Sequence, residues 1–182
     1  MDVIDGVEVT CIDNGMPLVL FDARAVGCTG YETVAELNAN AALKARIERL
    51  RLAAGLAMHL GNVSAKNYPK MTLVARPQHG GAISTRSFIP HVCHDAIGVL
   101  AAVTVATACV LEGSVTQGLA VLPSGWRRSL AIEHPSGEFS VALEQDEAPP
   151  FAVTQAALLR TARLIMRGEV MVPSSVWKGQ NT

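Results

Sequence analysis

The sequence predicts one α+β domain, residues 1–182, in which strands surround a single buried helix. Its 182 residues are the length of one domain. Because 49% of the residues are hydrophobic but only 4% are aromatic, the core must be built from Ala, Val, Leu and Ile. The run from Ala96 to Leu111 has no charged residue. A helix that is apolar on every side has no solvent face, so the rest of the fold must enclose it.

Short apolar runs separated by turn residues predict the strands. The predicted strands are Val7–Thr10, Leu18–Asp22, Met71–Ala75, Ala82–Phe88, Ser129–Glu133, Glu138–Leu143 and Glu169–Val172. Asp13 to Gly15, His79 to Gly81 and Pro135 to Gly137 are the turns, and Pro90 ends the strand before it. The propensity of Ala156 to Met166 favours a helix.

Two amphipathic helices and the central one are predicted. Thr33 can begin a short helix, and Asn40 is an N-cap for a longer outer helix over about 41–59. An apolar stripe on the outer helix faces the sheet, and its members are Leu43, Ile47, Leu50 and Ala54. Lys44, Glu48 and Arg51 lie off this stripe, which indicates a solvated face. The central helix spans about 94–111.

Charge and cysteine usage exclude several classes of protein. The 15 basic and 16 acidic side chains leave a net charge of -1, so neither nucleic acid nor an anionic membrane is expected as a partner. The longest apolar run is shorter than the roughly 20 residues that span a bilayer. No targeting segment is visible, and the four cysteines form no CxxC pair. We therefore expect a soluble cytoplasmic protein with reduced thiols.

A set of motifs in a fixed order resembles a known family. The motifs are Val7 to Pro17, Thr29 to Glu32, Pro69 to Met71, Ser84 to His94, Ser136 to Phe139 and Arg160 to Arg163. Each is weak alone, but together they run from about residue 6 to 173. In this order they resemble the second lobe of the PrpF-type family of oxalomesaconate tautomerases and methylaconitate isomerases.

The resemblance implies a fold similar to diaminopimelate epimerase, with two pseudo-symmetric lobes and an active site between them. Each lobe is a curved, mostly antiparallel sheet or barrel around a central helix. This chain is then equivalent to the C-terminal lobe, with the N-terminal lobe absent. The resemblance also implies that Ala156 to Met166 is a strand, against its propensity.

The implied reaction is a cofactor-independent isomerisation. The family shifts a double bond in small unsaturated polycarboxylates such as 4-oxalomesaconate. Its proton-transfer lysine and cysteine, the latter in an Asn-Cys-Gly-Asn type motif, belong to the other lobe. The cysteines here are followed by Ile12, Thr29, His94 and Val110, so the motif is missing. We expect this chain alone to be inactive.

An allylic proton shift needs a base, an acid and groups that stabilise enolate-like charge. Arg86 can form a bidentate bond to a substrate carboxylate, and Thr85 and Ser87 flank it. On a strand these two side chains point away from the face of Arg86. If His94 or Asp95 caps the central helix, the first-turn N–H groups form an anion site.

His91, Cys93 and His94 form the cluster richest in groups that titrate near neutral pH. Either they face the cleft as substrate contacts, or they are satisfied polar groups of a strand-to-helix turn. Cys93 is a candidate for direct proton transfer, since a helix N-terminus would lower its pKa. Their spacing is unfavourable for a metal, so no metal is expected. Asn14 is either a substrate contact or a turn residue.

Two hypotheses of function remain. In the first, the chain is an isomerase lobe that holds a small di- or tricarboxylate and needs the missing N-terminal lobe for activity. In the second, it is a truncated, non-catalytic domain that binds carboxylates or forms a homodimer over its exposed apolar surface. A metal-dependent hydrolase using the His/Cys cluster is a third, minor interpretation.

Overall fold

The computed structural model describes residues 1–149, 151–159 and 162–177. Eight strands form one sheet. The strands are β1 (Asp2–Ile4), β2 (Val7–Asp13), β3 (Pro17–Asp22), β4 (Lys70–Ala75), β5 (Ile83–Phe88), β6 (Arg127–His134), β7 (Gly137–Gln145) and β8 (Val153–Leu158). The helices are α1 (Val34–Ala39), α2 (Ala41–Ala57) and α3 (Val99–Val110), and a 3-10 turn covers Ala23–Val26.

The strands lie in sequence order across the sheet. Neighbours are antiparallel except for β3 with β4 and β5 with β6. The β5–β6 ladder consists of the pairs Ile83–Ile132 and Ser84–Glu133, so the rest of β5 runs free of β6. The chain after β5 turns back, and Cys93 forms an isolated bridge with Phe88.

The sheet separates two hydrophobic clusters, because side chains alternate between its faces. Leu18 and Leu20 of β3 belong to the cluster around α3, while Val19 and Phe21 belong to the cluster under α2. Helix α3 contacts β2, β3, β6, β7 and β8, so the sheet curves around it. The predicted α+β fold with a mostly antiparallel sheet and a buried central helix is confirmed.

The central helix begins at Val99, later than the predicted residue 94. Residues before it form a turn in which the amide of Ala96 donates to Nδ1 of His94 at 2.9 Å. Gly98 is the N-cap, and neither His94 nor Asp95 caps the helix. The prediction of a cap at either residue is therefore wrong, because the His94 ring accepts a bond within the preceding turn instead.

The outer helices follow their predicted caps. The Thr33 side chain accepts from the amide of Glu36 in a capping box, and Asn40 accepts from Leu43. The apolar stripe of α2 is buried as predicted. Arg51, however, is fully buried rather than solvated.

The predictions for the end of the chain are only partly correct. Strand β8 ends at Leu158, and no regular element follows it among the described residues. The predicted strand over Ala156 to Met166 is thus confirmed only for its first residues, while 160 and 161 lie outside the described residues. The predicted strand at Glu169 to Val172 is wrong for this structure, because these residues pair with none of the strands in the described part of the chain. Among the described residues, no helix has the length and apolar character to cross a membrane.

Candidate functional site

A cavity of about 330 Å³ lies where β5 separates from β6. Its walls are Tyr31 to Val34, Arg86, Asp95, Pro135 and Ser136. Strand β5 supplies Arg86, the turn after β6 supplies Pro135 and Ser136, and Asp95 comes from the segment that leads to α3. Four distant parts of the sequence therefore build this site.

Arg86 is the cation of this cavity and is only 9% exposed. Its Nε donates to the carbonyl of Glu32 at 2.8 Å, and Nη1 donates to the carbonyl of Thr85 at 2.9 Å. Burial lowers the pKa of the guanidinium, and the nearby Cys93, Glu32 and Glu133 act in the opposite direction. Within the part of the chain that the structure describes, no carboxylate forms an ion pair with Arg86.

The Glu32 carboxylate is already satisfied by its own loop. It accepts from the amide of Thr29 at 2.6 Å, from the Thr29 hydroxyl at 2.9 Å and from the amide of Gly30 at 3.0 Å. Burial acts to raise the pKa of Glu32, but these hydrogen bonds outweigh it and the pKa is lowered. Glu32 thus positions Arg86 through its backbone carbonyl, and its carboxylate forms no ion pair with the guanidinium.

The start of α3 has no side-chain cap within the described ranges. Gly98 makes no capping hydrogen bond from a side chain. The N–H groups of the first helical turn have no acceptor within their own helix. Such a helix start favours an anion through its N–H groups and its dipole.

Cys93 is 2% exposed in the turn between β5 and α3. Its amide donates to Oδ1 of Asn38 at 2.8 Å. Burial raises the pKa of the Cys93 thiol to about 11, against the opposite effect of Arg86. The expected lowering by a helix N-terminus does not occur, since α3 begins at Val99.

Thr85 and Ser87 use their hydroxyls inside the fold. The Thr85 hydroxyl donates to the carbonyl of Glu133 at 2.7 Å, and the hydroxyls of Ser87 and Thr72 lie 3.0 Å apart. Both residues are on the sheet face opposite to Arg86, as strand alternation requires. Thr85 and Ser87 are therefore neighbours of Arg86 on β5 but do not line the cavity.

His91 and Asn14 lie apart from the cavity. Nδ1 of the exposed His91 is 3.4 Å from Oε2 of Glu48 on α2. Nδ2 of Asn14 is 3.5 Å from the Thr107 hydroxyl. At a rise of 1.5 Å per residue, Thr107 lies about 12 Å along α3 from Val99, the first residue of this helix. The structure therefore does not bring either side chain to Arg86.

His134 lies close to both Arg86 and His94. Burial lowers the pKa of His134, and the charges of His94 and Arg86 lower it further. Nδ1 of His134 is 3.3 Å from the Ser136 amide, which joins this ring to the cavity wall. Sequence reasoning assigned His134 no role, although the neighbouring motif at Ser136 to Phe139 pointed to this turn.

The loop Tyr31 to Val34 and Asp95 also line the cavity, which was not predicted from the sequence. The motif Thr29 to Glu32 was the available signal for the loop, but nothing local indicates that it faces Arg86. In the described ranges no three His, Cys, Asp or Glu side chains come together as a metal-binding group.

Comparison with known proteins gives consistent matches. The family model described as PrpF protein matches residues 1–173. The 4-oxalomesaconate tautomerase of Pseudomonas putida is 52% identical over 178 residues, which are 98% of this chain and 48% of that protein. The (4E)-oxalomesaconate Delta-isomerase of Novosphingobium sp. is 56% identical over 172 residues, 94% of this chain and 48% of that protein.

A solved methylitaconate-delta-isomerase has a similar fold, with a TM-score of 0.75 at 24% identity. The likeness covers 90% of this chain and 46% of the solved one. This chain spans about half the length of the curated relatives it matches.

Proposed function

Because the chain belongs to the PrpF family, we propose that it is the substrate-holding lobe of an isomerase. The substrate is a small unsaturated di- or tricarboxylate, and the reaction moves its double bond by a 1,3-proton shift. Relatives of this chain are a 4-oxalomesaconate tautomerase and a (4E)-oxalomesaconate Delta-isomerase, which supports the reaction class.

The observation that carries the proposal is the buried charge of Arg86 at the cavity wall, which forms no ion pair with a carboxylate among the described residues. A buried charge without a partner is unfavourable, so its position implies an anion that completes the pair. A guanidinium matches a carboxylate in a planar, two-bond geometry, which a polycarboxylate substrate provides.

In the proposed mechanism this lobe orients the substrate and stabilises charge. Arg86 holds one carboxylate of the substrate in the cavity and so orients it for removal of the allylic proton. Thr85 and Ser87 hold the strand that carries Arg86.

The proton-transfer groups come from the other half of a complete family protein. With its pKa near 11, the Cys93 thiol is protonated at neutral pH and is a poor base. We infer that this chain corresponds to the C-terminal half and that it needs the N-terminal half for turnover.

The test is proton exchange followed by NMR. 4-Oxalomesaconate in D2O is incubated with the chain alone, then with the N-terminal half of the Pseudomonas putida relative added. We expect no deuterium incorporation with the chain alone and incorporation with both halves. Exchange by the chain alone would show that its own residues transfer protons and would contradict this division of roles.

Substitution of Arg86 tests whether its charge binds the substrate. Arg86→Gln should lower kcat/KM of the two-half enzyme about 10- to 100-fold, the value of a charged hydrogen bond. Arg86→Lys keeps the charge but not the planar fork, so an intermediate loss is expected. Arg127→Gln is the matched control, because its side chain is 82% exposed and pairs with Glu144. Equal activity of folded Arg86→Gln and Arg127→Gln would contradict substrate binding by Arg86.

A non-catalytic domain that binds carboxylates or forms a dimer is the alternative. It shares the unpaired Arg86, so the same experiment separates the two functions. The alternative would be favoured if calorimetry shows that the chain binds the tricarboxylate while no deuterium is incorporated, either with the chain alone or with the added N-terminal half.

A further inference from the structure

The turn between β2 and β3 presents an Asn-Gly dipeptide at the surface. Asn14 and Gly15 are both exposed. They lie outside the β2–β3 ladder, whose last pair is Asp13 with Pro17. Gly15 has a φ of 80°, a left-handed conformation that glycine adopts without strain. The ladder therefore fixes the ends of this turn but not the dipeptide at its tip.

Few contacts restrain the side chain of Asn14. Its Nδ2 is 3.5 Å from the Thr107 hydroxyl oxygen, beyond the usual range of N–H···O hydrogen bonds. The Thr107 hydroxyl itself donates to the carbonyl of Val103 at 2.9 Å, so towards Asn14 it can only accept. Within the described ranges, the backbone N–H of Gly15 has no hydrogen-bond acceptor. Both the side-chain amide and the next backbone nitrogen are thus free to react with each other.

The reaction open to this pair is loss of the side-chain amide without an enzyme. The backbone nitrogen of Gly15 attacks Cγ of Asn14 and forms a new N–Cγ bond. The bond from Cγ to Nδ2 breaks, the proton of the Gly15 N–H is transferred to the leaving nitrogen, and ammonia departs. Water then adds to one of the two carbonyls of the resulting cyclic imide and opens it to aspartate or isoaspartate. Glycine favours the attack, because no Cβ hinders its nitrogen.

The other asparagines of the chain lack this combination. Of the six asparagines, only Asn14 precedes glycine, and the others precede Ala39, Ala41, Val63, Tyr68 and Thr182. Asn62 is exposed like Asn14, but the β-branched Val63 that follows it crowds the backbone nitrogen. Oδ1 of Asn62 also accepts from the amide of Ser64 at 2.9 Å. Asn62 is therefore a matched internal control.

We propose that Asn14 is a site of spontaneous modification, at which water converts the side-chain amide to a carboxylate through a cyclic imide with Gly15. The new carboxylate cannot donate to Thr107, and it lies next to the carboxylate of Asp13. In the isoaspartate product the main chain gains one carbon, so the turn no longer fits the closing pair of Asp13 with Pro17. This inference is independent of the proposed function, because the reaction needs only the chain and water.

The test keeps the purified chain at neutral pH in water enriched in oxygen-18 and maps its peptides by mass spectrometry at intervals. The peptide that contains Asn14 should take up the heavy oxygen in place of the amide nitrogen and separate into an aspartate and an isoaspartate form. Conversion during a later digestion in ordinary water carries no label and is thereby excluded. The peptide that contains Asn62 should keep its mass over the same time.

Two outcomes of this measurement would overturn the proposal. One is equal uptake of label at Asn14 and Asn62. The other is an unchanged Asn14 in the folded chain while a synthetic peptide of residues 11–17 converts, since the fold would then protect the turn.

Two variants separate the reaction from its consequence. Asn14→Gln keeps an amide but would need a larger ring, so label uptake in this peptide should be lost, and uptake equal to that of the parent would contradict the assignment. Asn14→Asp carries the product charge from the start. Its hydrogen exchange over residues 7–22 should be faster than in the parent, because the turn has lost its contact with Thr107. Identical exchange in this variant and the parent would overturn the predicted effect on the turn.

Discussion

Arg51 shows how one residue can tie a helix to a loop. It is fully buried on α2, and its Nη1 donates to the carbonyls of Val63, Lys66 and Tyr68 at 3.0, 3.2 and 2.8 Å. Its other nitrogens form a two-bond pair with Glu48 at 2.7 and 2.8 Å. The guanidinium therefore satisfies carbonyls of a connection that has no regular structure of its own.

Arg51→Met should lower the free energy of unfolding by about 3 kcal/mol, because three carbonyls and the Glu48 carboxylate lose their donors. Arg49→Met is the control on the same helix, since the Arg49 side chain is 65% exposed. That variant should stay within about 0.5 kcal/mol of the parent. Urea unfolding followed by circular dichroism measures both, and similar midpoints for the two variants would contradict the role given to Arg51.

At the scale of elements, Glu133 of β6 organises the turn between β4 and β5. Its carboxylate accepts from the amides of Gln78, His79 and Gly81 at 2.8, 2.7 and 2.9 Å. Gly81 permits this approach, because a Cβ there would lie 2.7 Å from Cγ of Glu133. One side chain thus holds the hairpin to the neighbouring part of the sheet.

The stability that Glu133 contributes should depend on pH. Burial acts to raise its pKa, but the three amides outweigh burial and hold the pKa below the usual 4.5. A carboxyl with a lowered folded pKa stabilises the fold above its unfolded pKa, and this contribution disappears as pH falls through the folded pKa. Glu133→Gln should therefore be less stable than the parent by about 1–3 kcal/mol at pH 7.

This difference should shrink below pH 4.5, the ordinary pKa of the carboxyl. Unfolding in urea at a series of pH values measures it. Glu138→Gln is the control, because Glu138 lies opposite Glu133 in the ladder but is exposed. A difference in the free energy of unfolding between Glu133→Gln and the parent that stays constant from pH 7 to low pH would contradict the role given to the Glu133 carboxylate.

At the scale of the whole molecule, one sheet serves two cores. Leu20 belongs to the cluster around α3 and Leu50 to the cluster under α2, and both are buried. The strands between the clusters contribute side chains to both, so unfolding of one cluster disturbs the strands that support the other. This arrangement favours a single cooperative unfolding transition.

Leu20→Ala and Leu50→Ala should each lower the free energy of unfolding by about 2–5 kcal/mol while a single transition is kept. Circular dichroism and the emission of Trp126, which stacks on Phe151 with ring centres 5.6 Å apart, should give coincident curves. Separation of the two curves in either variant would show that the clusters unfold independently.

Much of the secondary structure was predictable from local signals. Thr33 and Asn40 determined where α1 and α2 begin, because an N-cap acts on amides two or three residues away. Turn residues and the alternation of apolar with polar residues indicated where most of the strands lie. Of the residues that line the cavity, Arg86 was among the candidates named from the sequence, while the opposing loop Tyr31 to Val34 was not.

The sequence by itself determined the α+β class, the apolar central helix and the resemblance to the PrpF family, since these depend on residue order and short-range contacts. Only the tertiary structure decided that Arg51 is buried, that Glu133 holds a distant turn and that Arg86 lines a cavity, where no carboxylate among the described residues forms an ion pair with it. The reason is physical. Whether a charged side chain is solvated or enclosed depends on segments far away in sequence, and those segments meet only when the sheet has formed.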